Sequence, residues 1–117
     1  MTAVRVILGP GGELLAAEAS GHAGAGKRGE DLVCAAVTVL LRTTLSALAS
    51  AHGNARKPSL ALDAETAGRG TLSFRVAAHE EADIPLLRYA GSFLLEGIGS
   101  LVRDFPESVS LTAEKTS

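Results

Sequence analysis

The chain has few aromatic residues, a single cysteine and few prolines. Its 117 residues include no Trp, one Tyr, three Phe, one Cys and four Pro. One cysteine excludes an intrachain disulfide, which fits a reducing cytosol. Because aromatic side chains are scarce, the core has to consist mainly of Leu, Val and Ala, and few side chains are available to stack on nucleic-acid bases.

The chain also lacks a strong charge of one sign and a long uninterrupted hydrophobic run. The net charge is −2 and the basic residues form no cluster, so direct nucleic-acid binding is disfavoured. Thr38, Arg42 and Thr43 interrupt the longest apolar-rich stretch, and the N-terminus does not follow the signal-peptide pattern. With 46% hydrophobic and 21% charged residues, we expect one soluble cytoplasmic domain over residues 1–117, without membrane contact.

Alternation of apolar and other residues predicts the strands. A first strand is predicted from Val4 to Leu8 and a second from about Leu14 to Ser20, with a turn at Gly9 to Gly12 between them. Further alternation predicts a third, a fourth and a last short strand, with apolar positions at Leu60 and Leu62, then Leu72, Phe74 and Val76, then Val109 and Leu111. Residues 113–117 are expected to fray.

Two helices are predicted between these strands. Asp31 is a good N-cap for a helix that runs to about Ala51, since its carboxylate can accept from the open amides of the first turn. The first half of this helix is apolar nearly all round. One side can therefore face a sheet, and the other needs a second helix or a second subunit.

The second helix has an apolar stripe at helical spacing. Asp83 caps it, Pro85 is tolerated in its first turn, and Pro106 ends it. The stripe consists of Ile84, Leu87, Gly91, Leu94, Ile98, Leu101 and Phe105. The resulting order, ββαββαβ, predicts an α+β fold, a two-layer sandwich with two helices packed on a sheet.

The sequence of the glycine-rich loop before the first helix is similar to that of a phosphate-binding P-loop. Residues 21–28 read GHAGAGKR, whereas that motif needs Gly, four residues, and then Gly-Lys-Ser/Thr. Arg28 stands where the hydroxyl would bind magnesium. Glu30 and Asp31 place negative charge where the phosphate would lie. Phosphate binding is therefore disfavoured.

The same loop contains the glycine spacing of a dinucleotide site. Residues 24–29 read GAGKRG, with glycine at Gly24, Gly26 and Gly29. Such a site also needs an acidic residue about 20 residues further on, which binds the ribose. Residues 44–50 read TLSALAS and contain none. Dinucleotide binding is disfavoured as well.

A thiol site fits the loop and the helix start better. Cys34 lies three residues after Asp31, where the helix dipole and the open amides favour a thiolate, the attacking form. His22 directly follows the second strand, and a strand end and a helix start can be neighbours in space. His22 could then take the thiol proton and later protonate the leaving amine. The three loop glycines would allow the segment to move as a lid.

Each of these residues also has a plainer interpretation. Cys34 could be a small buried core residue, and His22 a surface loop residue. Asp31 could be a helix cap or a third, orienting member of the site. A zinc site is disfavoured, because the histidines and the cysteine show no paired ligand spacing.

The combination of these residues resembles a known family signature. The residues that carry the resemblance are Gly21-His22-Ala23-Gly24, then Gly26 and Gly29, and then Asp31-Leu32-Val33-Cys34-Ala35-Ala36-Val37-Thr38. They closely resemble the signature of the bacterial ribosomal-processing cysteine protease family, Prp. The order of strands and helices is similar along nearly the whole chain.

The resemblance implies a specific activity. In that family the matching residues form a catalytic dyad, so Cys34 would be the nucleophile and His22 the base, with no cofactor and no metal. The family removes a short N-terminal extension from large-subunit ribosomal protein number twenty-seven, and its members look like homodimers joined through helices. The implied partners are therefore a ribosomal protein precursor and a second copy of the chain. The family often has a bulkier residue in place of Ala25 and Ser in place of Thr38.

Two hypotheses from different classes remain at this point. One is a cysteine endopeptidase that acts on a ribosomal protein precursor. The other is a non-catalytic ribosome-associated binding module with the same fold. The presence of both His22 and Cys34 favours the enzyme.

Overall fold

A computed structural model of the chain describes residues 2–21, 30–51, 61–66 and 71–116, apart from the side chains of residues 30, 31, 51, 65, 66 and 71. The elements follow the predicted order ββαββαβ, with a short 3-10 turn at Glu81–Asp83 before the second helix. They are β1 (Thr2–Leu8), β2 (Leu14–Ser20), α1 (Glu30–Ala51), β3 (Ala61–Thr66), β4 (Thr71–Ala78), α2 (Ile84–Asp104) and β5 (Val109–Lys115).

The five strands form one mixed sheet in the order β3-β4-β2-β1-β5. β1 pairs antiparallel with β2 and parallel with β5. β4 pairs antiparallel with both β2 and β3. Because side chains alternate along each strand, the register divides the sheet into an inner face, which carries the helices, and an outer face.

The hydrophobic core lies between the inner face and the two helices. From the sheet it includes Val4, Val6, Ala17, Ala19, Leu72, Phe74 and Val109, and from the helices Val33, Val37, Leu41, Leu48, Leu87, Leu94 and Ile98. Leu and Val dominate and Phe74 is the only aromatic residue in this set, as the composition predicted. The predicted two-layer α+β sandwich is confirmed.

β2, α1 and β3 form a crossover unit. Since β2 and β3 are each antiparallel to β4, they are parallel to each other, with β4 between them. α1 contacts β2 and β4, whereas α2 contacts β1, β2 and β5. A helix that joins two parallel strands runs antiparallel to them. The start of α1 therefore lies toward the end of the sheet where β2 and β3 terminate.

Three sides of α1 have different neighbours: the sheet, α2 and the surroundings of the protein. Its sheet side is buried and includes Leu41, which is fully buried, and the hydroxyl-bearing Thr44, which is 3% exposed. The next side faces α2, where Leu40 packs on Gly97 so closely that a Cβ at Gly97 would lie 3.0 Å from Leu40 Cδ2. The outward side is apolar and exposed, with Leu32 and Val39 exposed by 71% and 61%. α2 therefore covers only part of the apolar surface of α1 that does not face the sheet.

α2 continues this exposed apolar surface. Tyr89 is 72% exposed and Phe93 is 47% exposed. Together with Leu32 and Val39 of α1 they form what we call the outer helix face. One groove between the helices is lined by residues that include Leu32, Val39 and Gly97. A second groove is lined by residues that include Tyr89 and Phe93.

By length and composition alone, the segment Leu32–Ser50 of α1 could cross a membrane. The core helix of a soluble protein meets the same test, and Val33, Val37 and Leu41 are packed into the core here. The expectation of no membrane contact therefore stays a prediction.

Two predicted caps differ in detail from the structure. α1 begins at Glu30, so Asp31 lies inside the first turn, a shift of two residues from the predicted start, which is common at helix ends. Asp83 does stand at the N-cap position of α2, but it makes no side-chain cap bond to that helix. Its carboxylate instead accepts a hydrogen bond of 2.9 Å from the Glu80 amide, as part of a capping box at the start of the preceding 3-10 turn.

The C-terminal segment is more ordered than the sequence indicated. Residues 113–115 were expected to fray, but β5 pairs with β1 as far as Lys115, and the Thr116 amide donates to Leu8 O at 2.8 Å. Backbone hydrogen bonds to a neighbouring strand do not depend on side-chain type. A segment without an apolar pattern can therefore extend a strand.

Candidate active site

Cys34, the residue that the signature marks as nucleophile, is the fifth residue of α1. Its side chain is half-buried, next to the fully packed Val33. The Thr38 hydroxyl donates a hydrogen bond of 2.9 Å to the backbone oxygen of Cys34. Thr38 therefore interacts with the backbone of Cys34, one turn along the helix.

The position of Cys34 in α1 suits a nucleophile. The four open amides at the start of a helix, which are those of the cap residue and the first three helical residues, have no carbonyl partner within that helix. In α1 they end at Leu32, two residues before Cys34. Such amides, with the helix dipole, stabilise negative charge on a thiolate or on an oxyanion that forms from a bound carbonyl. The start of α1 can therefore support acyl-transfer chemistry at Cys34.

Cys34 lies on the flank of α1 that is turned away from α2. At 3.6 residues per turn, Cys34, Thr38 and Leu45 share this flank, opposite the side on which Leu40 meets Gly97. α2 lies over β5, β1 and β2, whereas α1 contacts β2 and β4. The flank that carries Cys34 therefore faces the other half, toward β3.

The other predicted site residues lie outside the described residues. β2 ends at Ser20 and α1 begins at Glu30, so His22 and the loop glycines Gly24, Gly26 and Gly29 belong to the connection between them. The backbone of Asp31 is described but its side chain is not. The dyad distance, the lid and the role of Asp31 therefore stay predictions.

The outer face of the sheet is the clearest feature that the sequence did not predict. It contains a hollow of about 500 Å³ whose lining includes Arg5, Glu18, Asp63 and Arg75. Arg5 contacts Glu114 at 2.8 Å and Glu18 at 3.7 Å, and Arg75 contacts Asp63 at 3.1 Å. This hollow lies on the side of the sheet opposite α1, so it takes no part in chemistry at Cys34.

These ion pairs are exposed, and solvent limits their contribution to stability. The hydrogen bond from Arg5 lowers the pKa of Glu114, and the same bond raises the pKa of Arg5. Strand pairing brings these side chains together: Arg5 lies directly across from Glu18 in β2, and Glu114 lies two residues along β5 from Thr112, which is across from Arg5. The sequence alone could not show this, because the partners are far apart along the chain.

Within the described ranges, acidic, histidine and cysteine side chains form no group of three that could hold a metal ion. The described residues provide a thiol at Cys34 near a helix start, which suits acyl transfer. The sequence prediction of a thiol site at Cys34 rests on the same two features.

Comparisons with known proteins identify the family and the fold. A family model described as cysteine protease Prp matches residues 1–110. No curated protein matches the chain. Among solved structures, SMU.848 from Streptococcus mutans has a TM-score of 0.77 at 25% identity, covering 99% of this chain and 96% of that one.

Two structures of the ribosomal processing protease Prp from Staphylococcus aureus are also similar. The complex with a substrate peptide has a TM-score of 0.77 at 17% identity. The complex with a covalently linked product peptide has a TM-score of 0.73 at 18% identity. In both cases the match covers 97% of this chain and 100% of the other. The likeness extends over the whole fold, and the family match over residues 1–110 shows that the chain belongs to the cysteine protease Prp family.

Proposed function

We propose that the protein is an endopeptidase in which Cys34 is the nucleophile and His22 the general base. One observation carries the proposal: a cysteine protease needs a thiol, and Cys34 is the only cysteine in the chain. Its place just after the open amides of α1 and its half-buried thiol fit that role.

The chemistry follows from these groups. His22 accepts the thiol proton, and the Cys34 sulfur attacks the scissile carbonyl to form a tetrahedral oxyanion. Helix-start amides are the donors available to stabilise that oxyanion. The protonated His22 gives its proton to the leaving amine as the C–N bond breaks and a thioester remains. Water, deprotonated by His22, then hydrolyses the thioester and releases the acid product and the free thiol.

The substrate we propose is the precursor of large-subunit ribosomal protein number twenty-seven, cleaved in the cytoplasm. The support is the family resemblance of the signature, together with the similar Staphylococcus aureus enzyme, which is a ribosomal processing protease and binds a substrate peptide. The enzyme would remove an N-terminal extension and leave the remainder intact.

We expect the purified protein to shorten that precursor at one site. The test incubates it with the host's full-length ribosomal protein and reads the new N-terminus by mass spectrometry. The matched control is the same ribosomal protein made without its extension, which should remain unchanged. An intact precursor after prolonged incubation, or a host gene that encodes no extension, would exclude this substrate.

We also propose that two copies associate through the outer helix face. Four large apolar side chains are exposed there, including Tyr89 at 72% and Leu32 at 71%. Large apolar side chains exposed on one side of a domain are typical of interaction sites, and a two-fold axis would place the same surface on both partners.

Sedimentation velocity at micromolar concentration should therefore show a dimer. Val39→Glu should give a monomer, because it places a charge in the apolar contact. Thr112→Glu is the matched control: Thr112 is exposed and pairs with Arg5 on the outer face of the sheet, so the dimer should persist. A wild-type protein that sediments only as a monomer would contradict the proposal.

A further inference from the structure

The outer helix face combines an exposed apolar side chain with an apolar groove. Leu32 lies in the first turn of α1 and is 71% exposed. A groove of about 190 Å³ lies between the later part of α1 and the start of α2, and its lining includes Thr43, Ala47, Tyr89 and Phe93. We call it the aromatic groove. A surface that carries both a protruding side chain and a groove of the same chemistry can pair with a copy of itself about a two-fold axis.

Leu32 and the aromatic groove lie on one line along α1. At 3.6 residues per turn, the step from Leu32 to Thr43 is about three turns, which leaves the two residues within about 20° of each other around the helix and about 16 Å apart along it. Val39 lies between them on this line and is 61% exposed. A two-fold axis that is perpendicular to α1 and passes close to Val39 therefore packs α1 antiparallel on its copy. It places Leu32 of each copy over the aromatic groove of the other.

The charges along α1 favour the same antiparallel arrangement. Residues 32–41 include no charged residue, although part of this stretch is exposed. The acidic Glu30 and Asp31 precede the stretch, and the exposed Arg42 follows it. Antiparallel pairing brings Arg42 of one copy toward Glu30 and Asp31 of the other, so opposite charges approach each other. Parallel pairing in register would instead set like charges side by side.

We propose that Leu32 of one copy inserts into the aromatic groove of a second copy, so that each subunit covers the first helical turn of the other, two residues before Cys34. The inference rests on the dimer proposed above and specifies how its two subunits fit together. Thr44, a polar residue of the groove, already donates its hydroxyl to the backbone oxygen of Leu40 at 2.8 Å. That hydroxyl keeps its partner when an apolar side chain fills the groove, so the contact leaves it satisfied.

A disulfide between subunits tests this contact directly. In a Cys34→Ala background, Leu32→Cys combined with Thr43→Cys should give a covalent dimer on oxidation with oxidised glutathione, as read by non-reducing electrophoresis. The two positions are about 16 Å apart within one chain, beyond the reach of a disulfide, so the bond can form only between copies. The matched control replaces Thr43→Cys with Ala49→Cys, at an exposed position on another side of α1, and should give no covalent dimer.

Sedimentation velocity of a single variant gives a second measurement, which serves if the cysteine variant fails to fold by circular dichroism. Leu32→Ala should raise the dissociation constant of the dimer about tenfold, the effect of losing roughly two buried methylene groups. Phe105→Ala is the matched control: Phe105 is 42% exposed beyond the end of α2, and its loss should change the dissociation constant by less than about twofold.

The two measurements separate this contact from the rest of the proposed function. A dimer that persists but forms no Leu32–Thr43 link, or whose dissociation constant Leu32→Ala leaves unchanged, would overturn the contact while the proposed dimer stands. A wild-type protein that is only monomeric would contradict both. Neither measurement depends on precursor cleavage, so the absence of that activity would count against the proposed substrate alone.

Discussion

Cys34→Ala should abolish cleavage of the precursor and leave the fold intact. Cys34 is the only thiol in the chain, so no other cysteine can take over the attack. The hydrogen bond from Thr38 ends on the backbone oxygen of Cys34, and the substitution retains that oxygen. Replacing a half-buried thiol with a methyl group removes little packing, so stability should change by only about 1 kcal/mol.

Mass spectrometry of the precursor measures the loss of cleavage, and urea unfolding measures the stability of the variant. Ser46→Ala is the matched control: Ser46 is an exposed residue about three turns further along α1, and its loss should affect neither measurement. His22→Ala should lower kcat/KM by about 100-fold or more, as expected for a general base. Cleavage that persists in purified Cys34→Ala would contradict the mechanism.

Leu41→Ala should cost about 2–5 kcal/mol of unfolding free energy. Leu41 is fully buried on the side of α1 that packs against the sheet, and truncation would leave a cavity under the helix that carries Cys34. A domain of this size has only about 5–15 kcal/mol of stability. The variant should therefore unfold at much lower urea, and its activity should decline with the folded fraction.

Arg42→Ala provides the comparison at the next position. Arg42 is exposed, so its replacement should change the unfolding free energy by no more than about 0.5 kcal/mol. Both variants can be measured by urea titration with circular dichroism. A loss below about 1 kcal/mol for Leu41→Ala would show that α1 is not packed on the sheet as described.

Local sequence patterns predicted most of the elements. Period-two alternation located β1 and β4, and the turn between β1 and β2 needs glycine at Gly12, whose φ is +86°. In the predicted stripe of α2, Leu87, Leu94 and Ile98 are buried. Phe105, the last member of that stripe, is 42% exposed, because the helix ends at Asp104 and the periodicity no longer applies.

Features that depend on distant pairings could not be predicted in this way. No local pattern indicates that β4 lies between β2 and β3, yet this order determines which half of the sheet the Cys34 flank of α1 faces. The length of β5 was underestimated for the same reason, since Glu114 and Lys115 give no apolar signal and are held in the strand by pairing with β1. At the site, the motif identified Cys34 as the candidate nucleophile, whereas only the fold shows that Cys34 lies on the flank of α1 turned away from α2.

The parallel pairing of β1 with β5 also constrains how the chain can fold during synthesis. It joins Thr2 to Val109 and Leu8 to Lys115, so the strand made first receives its second neighbour from residues made more than a hundred positions later. Until those residues leave the ribosome, one edge of β1 keeps unpaired backbone groups that can associate with other chains. Contacts of such sequence separation slow folding, and the nascent protein depends on β5 to close that edge.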